Sequence, residues 1–117
     1  MTITGLQKKA QASPPPTSED LLAKQALEAS RVMNALANEN RLLILCYLMM
    51  NKEMRVGDLV EAVRLSQSAL SQHLTKLREE GLVEYRRDAQ TLHYRIADAR
   101  VTKIIKLLKK LYCEDIA

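Results

Sequence analysis

Reactive side chains are few in this sequence of 117 residues. It contains two cysteines, Cys46 and Cys113, and two histidines, His73 and His93. Nucleophilic catalysis needs a base within reach of the nucleophile, and no pair of residues here has a spacing typical of that arrangement. A metal site rich in cysteine and histidine would need more of these side chains than one subunit has. We therefore predict a protein that is not an enzyme and that carries no metal and no cofactor.

The stretch RLSQSALSQHLTKLREEGLVEYRRDAQTLHYRI, residues 64–96, has a different potential. Ser66 is a good helix N-cap, and Gly81 suits the end of the same helix. One face of this helix is apolar: Ala69, Leu70, Leu74 and Leu77. The opposite face carries short hydrogen-bonding side chains: Gln67, Ser68, Ser71, Gln72 and Thr75. Compact polar residues at a helix N-terminus can enter the major groove of DNA, where amides pair with adenine.

Basic residues surround this helix. Lys76 and Arg78 are placed to reach the DNA backbone, and Arg86 and Arg87 precede the DAQ turn of a predicted two-stranded hairpin. Guanidinium groups on such a hairpin can enter the neighbouring minor groove. A solvated polar face is the alternative interpretation, but the short helix before it and the basic hairpin after it favour DNA. His73 lies beside the apolar face, where a local hydrogen bond is a commoner role than ligation.

Hydrophobic spacing predicts the elements that position these residues. A first helix begins near Thr17 or Ser18, and a second follows the N-cap Asn38 with the apolar run RLLILCYLMM. A third, short helix spans Asp58 to Val63, and a last helix begins near Asp98. Four helices, a hairpin and a final helix form a winged helix-turn-helix, a mainly α fold with a small β-hairpin.

Two apolar stripes are left for a partner subunit. On the first helix the stripe is Leu22, Ala26, Ala29 and Met33, and on the last it is Val101, Ile104, Ile105, Leu108 and Leu111. A chain of this length has a thin core, which favours association. We predict a homodimer in which both stripes are buried.

Composition sets broad limits. Residues 1–17 are polar and proline-containing, which predicts a flexible tail before a single DNA-binding and dimerisation domain, residues 18–117. Aromatic residues are scarce, so the core must be aliphatic. The net charge of +4 permits a polyanionic partner without requiring one. The sequence has no membrane-spanning run and no signal-like start, which predicts a cytoplasmic protein without a membrane partner.

Four stretches, ALANENRLLIL, VGDL, LSQSALSQHLTKLREEGLV and RRDAQTLHYRI, resemble the ArsR/SmtB family of bacterial dimeric repressors. The resemblance covers roughly Ala26 to Cys113. It implies a homodimer joined through the first and last helices, bound to double-stranded DNA at an inverted-repeat operator. It also implies an inducer that releases the DNA.

The resemblance also bears on the inducer. Metal-sensing members carry cysteines in the third helix, where this chain has Arg55 and Gly57, and the last helix keeps Asp98 but has no histidine. Cys46 in RLLILCYL and Cys113 in LKKLYCED are similar in position to the paired cysteines of the sulfide- and persulfide-responsive branch, the BigR, SqrR and HlyU type. That likeness implies a redox switch in which oxidant or reactive sulfur joins the two thiols and DNA is released.

Other interpretations stay open at this point. Cys46 is also typical of a small buried hydrophobic residue, and Cys113 of an incidental thiol near the end of the sequence. The inducer could be unrelated to thiols, or the protein could act as an anti-repressor of virulence genes by displacing another DNA-binding protein. Helices used only for protein contacts are a further alternative.

Overall fold

The computed structural model describes residues 14–113, in two compact units divided between Ser30 and Arg31. Most of the predicted tail, residues 1–17, lies outside this range. In the first unit, helix α1 (Ser18–Leu36) begins with a reciprocal cap. The Asp20 amide donates to the Thr17 hydroxyl and the Thr17 amide to the Asp20 carboxylate, each at 3.1 Å. Every described side chain of this unit is exposed.

The second unit contains the end of α1 and all other elements. They are α2 (Glu39–Asn51), β1 (Met54–Arg55), α3 (Val56–Val63), α4 (Gln67–Glu79), β2 (Val83–Asp88), β3 (Thr91–Ile96) and α5 (Ala99–Tyr112). The predicted winged helix-turn-helix order is confirmed. Helix α3 begins at Val56, two residues before the predicted start at Asp58. Asp58 lies in its first turn and pairs with Arg55 at 3.1 Å.

The sheet has three strands, one more than predicted from the sequence. All pairs are antiparallel in the order β1-β3-β2. Strand β1 has only two residues, too few to show an alternating pattern. The turn is Ala89–Gln90, and Asp88, expected in it, ends β2 opposite Thr91. Strands β2 and β3 with this turn are called the wing below.

Capping side chains begin the helices where the sequence predicts. The Asn38 side chain accepts hydrogen bonds from the amides of Asn40 and Arg41, and Asp98 accepts one from the amide of Arg100. The Arg41 guanidinium donates to the carbonyl of Ala35 at 2.6 Å, which satisfies a carbonyl in the last turn of α1. These contacts fix the corner between α1 and α2.

The core is aliphatic, with Tyr94 as its aromatic member. Its residues come from every element of the second unit except β1: Ala35, Leu36, Ile44, Leu45, Leu48, Leu59, Val63, Leu70, Leu74, Leu77, Leu82, Val83, Tyr94, Val101 and Ile105. Helix α2 lies at its centre and contacts α3, α4, α5 and β3. The position and orientation of α4 therefore depend on α2.

The predicted stripe on α5 needs a correction. Val101 and Ile105 were assigned to a subunit interface, but both are fully buried inside the subunit. The helix is apolar over more than one face, and the core takes the inner one. Leu107 and Leu111 remain exposed, at 55% and 65%. On α1, Leu22 and Met33 of the predicted stripe are exposed in the subunit.

None of the helices in residues 14–113 is both long and apolar enough to cross a membrane.

Gly81 ends α4 with a positive φ of 73°. Its amide donates to the Arg78 carbonyl and that of Leu82 to the Leu77 carbonyl, the bonding pattern of a Schellman motif. Gly57 lies inside α3, without a positive φ, and an added methyl group would meet no atom at either site. The two glycines therefore differ in backbone conformation rather than in packing.

Gly81→Ala should lower the free energy of unfolding by about 1–2 kcal/mol, because a Cβ atom is strained in the left-handed region. Gly57→Ala, the matched control, should raise it by up to about 1 kcal/mol. Urea denaturation at equal protein concentration measures both. Equal effects of the two changes would contradict the role given to Gly81.

Candidate nucleic-acid interface

Helix α4 separates its apolar and polar residues as the sequence predicts. Leu70, Leu74 and Leu77 are buried. The predicted DNA-reading side chains are exposed: Gln67, Ser68, Ser71, Gln72 and Thr75. Lys76 is half-buried. The Ser66 hydroxyl accepts a hydrogen bond from the Ala69 amide at 3.1 Å. This cap starts the helix at Gln67, so the exposed polar side chains lie in its first turns.

A three-residue corner joins α3 to α4. Arg64 adopts the left-handed conformation, and its amide donates to the Val60 carbonyl, which ends α3. Leu65 then packs on the core and Ser66 caps α4. The corner turns the chain so that the polar face of α4 stays in solvent while its leucines enter the core.

A polar cleft of about 360 Å³ lies beside the start of α4. Gln67 and Ser71 line it from the helix. Arg55 and Gly57 line it from the junction of β1 and α3, and Gln90, Thr91 and Leu92 line it from the wing. Three separate segments thus converge at the end of α4 that carries its amides and hydroxyls. Such a surface offers donors and acceptors to bases and phosphates together.

The two wing arginines, predicted as a pair, have different surroundings. Arg86 makes a bidentate ion pair with Glu53, with Nη2 to Oε1 at 2.8 Å and Nε to Oε2 at 3.0 Å. These hydrogen bonds hold the pKa of the Glu53 carboxyl below its usual value. Within residues 14–113, the Arg87 side chain makes no hydrogen bond or ion pair and is exposed.

Arg78 faces the wing. Its guanidinium carbon lies 5.3 Å from the ring centroid of Tyr85, and that ring lies 5.3 Å from the ring of Tyr94. The contact is a cation–π interaction between α4 and β2. Arg78, for which the sequence predicts a contact with the DNA backbone, links α4 to the wing in this structure.

His73 is partly buried beside the leucine face, as predicted. Burial lowers its pKa, and the positive charge of Arg41 lowers it further. The imidazole is therefore neutral at neutral pH, which suits a packing role better than a phosphate contact.

The two cysteines line one groove. It has a volume of about 530 Å³ and lies between α2 and α5, with mostly apolar walls: Leu42, Leu43, Ile105, Leu108 and Tyr112. Cys46 and Cys113 are both free thiols and half-buried. Burial raises the pKa of the Cys46 thiol, the nearby Cys113 raises it further, and the Lys109 ammonium group lowers it. The geometry shows that both thiols open to the same groove.

No three histidine, cysteine or acidic side chains within the described range are grouped as a metal site. Sequence reasoning missed Glu53, which engages Arg86 and lies 3.8 Å from His93 Nδ1. Its place depends on the pairing of β1 with β3, and a two-residue strand has no sequence signal. Sequence reasoning also missed the contact of Tyr85 with Arg78. Strand alternation was a usable signal, because it places Tyr85 on the face opposite to Arg86.

Comparisons with known proteins agree with this geometry. The family model described as "Bacterial regulatory protein, arsR family" matches residues 38–85. The transcriptional activator HlyU of Vibrio cholerae serotype O1 is 47% identical over 93 residues, which cover 80% of this chain and 85% of HlyU. The nodulation protein NolR of Rhizobium meliloti is 48% identical over 105 residues, 90% of this chain and 81% of NolR.

Solved structures are similar as well. Reduced HlyU from Vibrio cholerae has a TM-score of 0.75 at 48% identity and covers 79% of this chain and 96% of its own. The transcriptional repressor BigR from Xylella fastidiosa has a TM-score of 0.74 at 31% identity, with coverage of 83% and 98%.

The exposed amide of Gln72 provides a test of base reading. Gln72→Ala should cost about 1–3 kcal/mol on a duplex selected by the unmodified protein from a random pool, and far less on random-sequence DNA. Fluorescence anisotropy with both duplexes measures this. Glu79→Ala, exposed on the last turn of the same helix, should change both affinities equally. An equal loss on both duplexes for Gln72→Ala would exclude base reading by this residue.

Proposed function

Since the chain belongs to the arsR family of bacterial regulatory proteins, we propose that this transcriptional regulator binds double-stranded DNA as a homodimer and releases it when Cys46 and Cys113 are joined. The observation that carries the proposal is the shared groove of the two thiols. It lies between α5 and α2, the helix against which the recognition helix α4 packs.

The DNA half of the proposal rests on α4 and the cleft beside it. Gln67, Ser68, Ser71 and Gln72 are exposed at the capped start of the helix, with Thr75 and Lys76 one turn later. A helix presented in this way inserts its first turns into the major groove. The wing lies next to it and supplies basic side chains for the flanking backbone.

The thiol half rests on proximity and isolation. Within residues 14–113 these two sulfhydryls are the only cysteines, and both open to the same apolar groove. A disulfide requires Cα atoms about 4.4–6.8 Å apart, and a bridge with extra sulfur spans more. Cys46 lies on α2 and Cys113 directly follows the end of α5, so both line the groove between these helices.

Either a peroxide or a persulfide can oxidise the two thiols to a disulfide in a balanced reaction. A peroxide takes two electrons and two protons from the thiols and leaves a disulfide and water. A persulfide transfers its outer sulfur to one thiolate and departs as a thiol. The second cysteine then attacks the inner sulfur of the protein persulfide and expels hydrogen sulfide. Because burial keeps the pKa of Cys46 high, its thiolate is scarce near neutral pH and its reaction accelerates as pH rises.

The link would act on DNA through the core. Joining α5 to α2 displaces α2, whose Ile44, Leu45 and Leu48 belong to the same cluster as the leucines of α4. In a dimer the two recognition helices must match half-sites about 34–36 Å apart. A small rotation of each subunit therefore weakens both contacts together. A coupling free energy of about 1–3 kcal/mol is typical of such switches.

The relatives include a transcriptional activator, HlyU, and a transcriptional repressor, BigR. We assign repression to this chain because an operator-bound dimer blocks polymerase access until it is released. The second candidate function is displacement of another DNA-binding protein from DNA. It is favoured by the similarity to HlyU, which is named a transcriptional activator. Both functions depend on the same change in DNA affinity.

Replacing either cysteine tests the switch. Cys46→Ser and Cys113→Ser should bind DNA as tightly as the unmodified protein when reduced, and neither should lose affinity after persulfide or peroxide treatment. The unmodified protein should lose at least tenfold, about 1.4 kcal/mol. Electrophoretic mobility shift before and after treatment measures this. If one single variant still releases DNA at the normal oxidant dose, the paired switch is wrong.

The proposed homodimer rests on exposed apolar side chains. Leu107, Leu111 and Tyr112 are exposed on α5, and Leu21, Leu22 and Leu27 are exposed on α1. Apolar side chains concentrated on two helices are typical of subunit interfaces. They would be buried between two copies of the chain.

Leu111→Glu should shift the protein to monomer, because a carboxylate would be buried in the interface. Lys103→Glu, an exposed change on the same helix, should leave the dimer intact. Sedimentation equilibrium gives the dissociation constant of each. A folded Leu111→Glu protein with an unchanged dimer would place the interface elsewhere.

A further inference from the structure

The outer face of the sheet carries an ion-pair cluster to which the proposed function assigns no role. Cross-strand register places Arg55, His93 and Arg86 side by side on this face, across β1, β3 and β2. Glu53 precedes β1 and reaches over the middle strand to Arg86. The pair therefore spans the full width of the three-stranded sheet.

The contact is well formed for a surface ion pair. The Arg86 guanidinium uses both Nε and Nη2, and the Glu53 carboxylate uses both oxygens, at 2.8–3.1 Å. The Glu53 side chain is 29% exposed, and His93, 18% exposed, lies 3.8 Å away. Bidentate geometry fixes orientation as well as distance. A phosphate that bound the same Nε and Nη2 groups of Arg86 would have to displace the Glu53 carboxylate.

The opposite face of β2 is held as well. Successive strand residues point to opposite faces, so Tyr85 faces away from Glu53. There the Arg78 guanidinium of α4 lies over its ring at 5.3 Å. The wing is thus attached at consecutive positions, to α4 through Tyr85 and to the segment before β1 through Arg86.

Arg87 differs from Arg86 in each of these respects. It lies one residue nearer the turn, opposite Leu92, on the face of the strand that Tyr85 occupies. It is exposed, and no partner in the described part of the chain holds it. Its guanidinium group is available without the loss of an existing ion pair.

We propose that Glu53 and Arg86 are positioning residues that clamp the wing, and that Arg87 carries the wing's contact with a DNA phosphate. The assignment rests on the proposed DNA-binding function. It gives the two adjacent arginines different roles, a structural one for Arg86 and a DNA contact for Arg87. The carboxylate of Glu53 assists DNA binding although its charge repels DNA. Removal of the Glu53 charge should therefore weaken DNA binding rather than strengthen it.

The test uses the full chain and a duplex selected by the unmodified protein from a random-sequence pool. Affinity is measured across a range of potassium chloride concentrations for Glu53→Gln, Arg86→Gln, their double variant and Arg87→Gln. Ion pairs between partly exposed side chains contribute little to global stability, so all four should stay folded. Circular dichroism checks this.

Glu53→Gln and Arg86→Gln should each weaken binding about two- to fivefold at fixed salt, without a change in the salt slope. The double variant should be no weaker than either single one, because each change breaks the same ion pair. Arg87→Gln should flatten the slope of log affinity against log salt by roughly 0.9 for each phosphate that is no longer neutralised. Tighter binding by Glu53→Gln, or a flatter slope for Arg86→Gln, would overturn the proposal.

The exchanged pair, Glu53→Arg with Arg86→Glu, keeps the net charge and restores an ion pair. It should bind DNA more tightly than Arg86→Gln. Weaker binding than that single variant would place Arg86 on the DNA and overturn the clamp.

Amide hydrogen exchange supplies a readout that does not need DNA. Without DNA, Glu53→Gln and Arg86→Gln should accelerate exchange in residues 83–96, and Arg87→Gln should not. Unchanged exchange in the first two variants would also overturn the clamp. If instead exchange responds as expected but the unmodified protein selects no duplex, the proposed DNA-binding function fails while the clamp stands.

Discussion

Burial of the leucine face of α4 against α2 is the contact on which the rest of the structure depends. Leu70, Leu74 and Leu77 are almost completely inaccessible and join Ile44, Leu45 and Leu48 in one cluster. Full burial of a leucine side chain contributes about 1.5–3 kcal/mol. Because those residues must face inward, the helical period leaves the amides and hydroxyls of the same helix in solvent. The candidate interface is therefore a consequence of how the core packs.

The same packing makes α2 the shared support of two sites. Its buried side supports α4, and its side toward α5 lines the groove that holds both thiols. Tightly packed interiors transmit displacements, since they contain little free volume to absorb them. A covalent link across the groove would thus act on α4, the proposed DNA-reading helix, through one layer of side chains. The wing is attached separately, through Arg78 and the ion pair of Arg86 with Glu53.

The sequence predicted the features that depend on local chemistry. It predicted the caps at Asn38 and Ser66, the start of the last helix near Asp98, the helix end at Gly81 and the polar face of α4, and each is confirmed. What it missed depends on tertiary pairing. Strand β1 is too short for a pattern, so Glu53 could not be placed beside Arg86. Helix α5 is apolar on several faces, and periodicity alone could not show that Ile105 belongs to the core and Leu111 to the surface.

The central claim, that joining Cys46 to Cys113 lowers DNA affinity, is tested most directly by mass-resolved binding. Protein treated in part with persulfide is mixed with a selected duplex, and free and DNA-bound fractions are separated and analysed by intact mass under denaturing conditions. The account predicts that single-subunit masses with both thiols consumed accumulate in the free fraction, while the reduced mass dominates the bound fraction. Equal proportions of the joined form in the two fractions would contradict it.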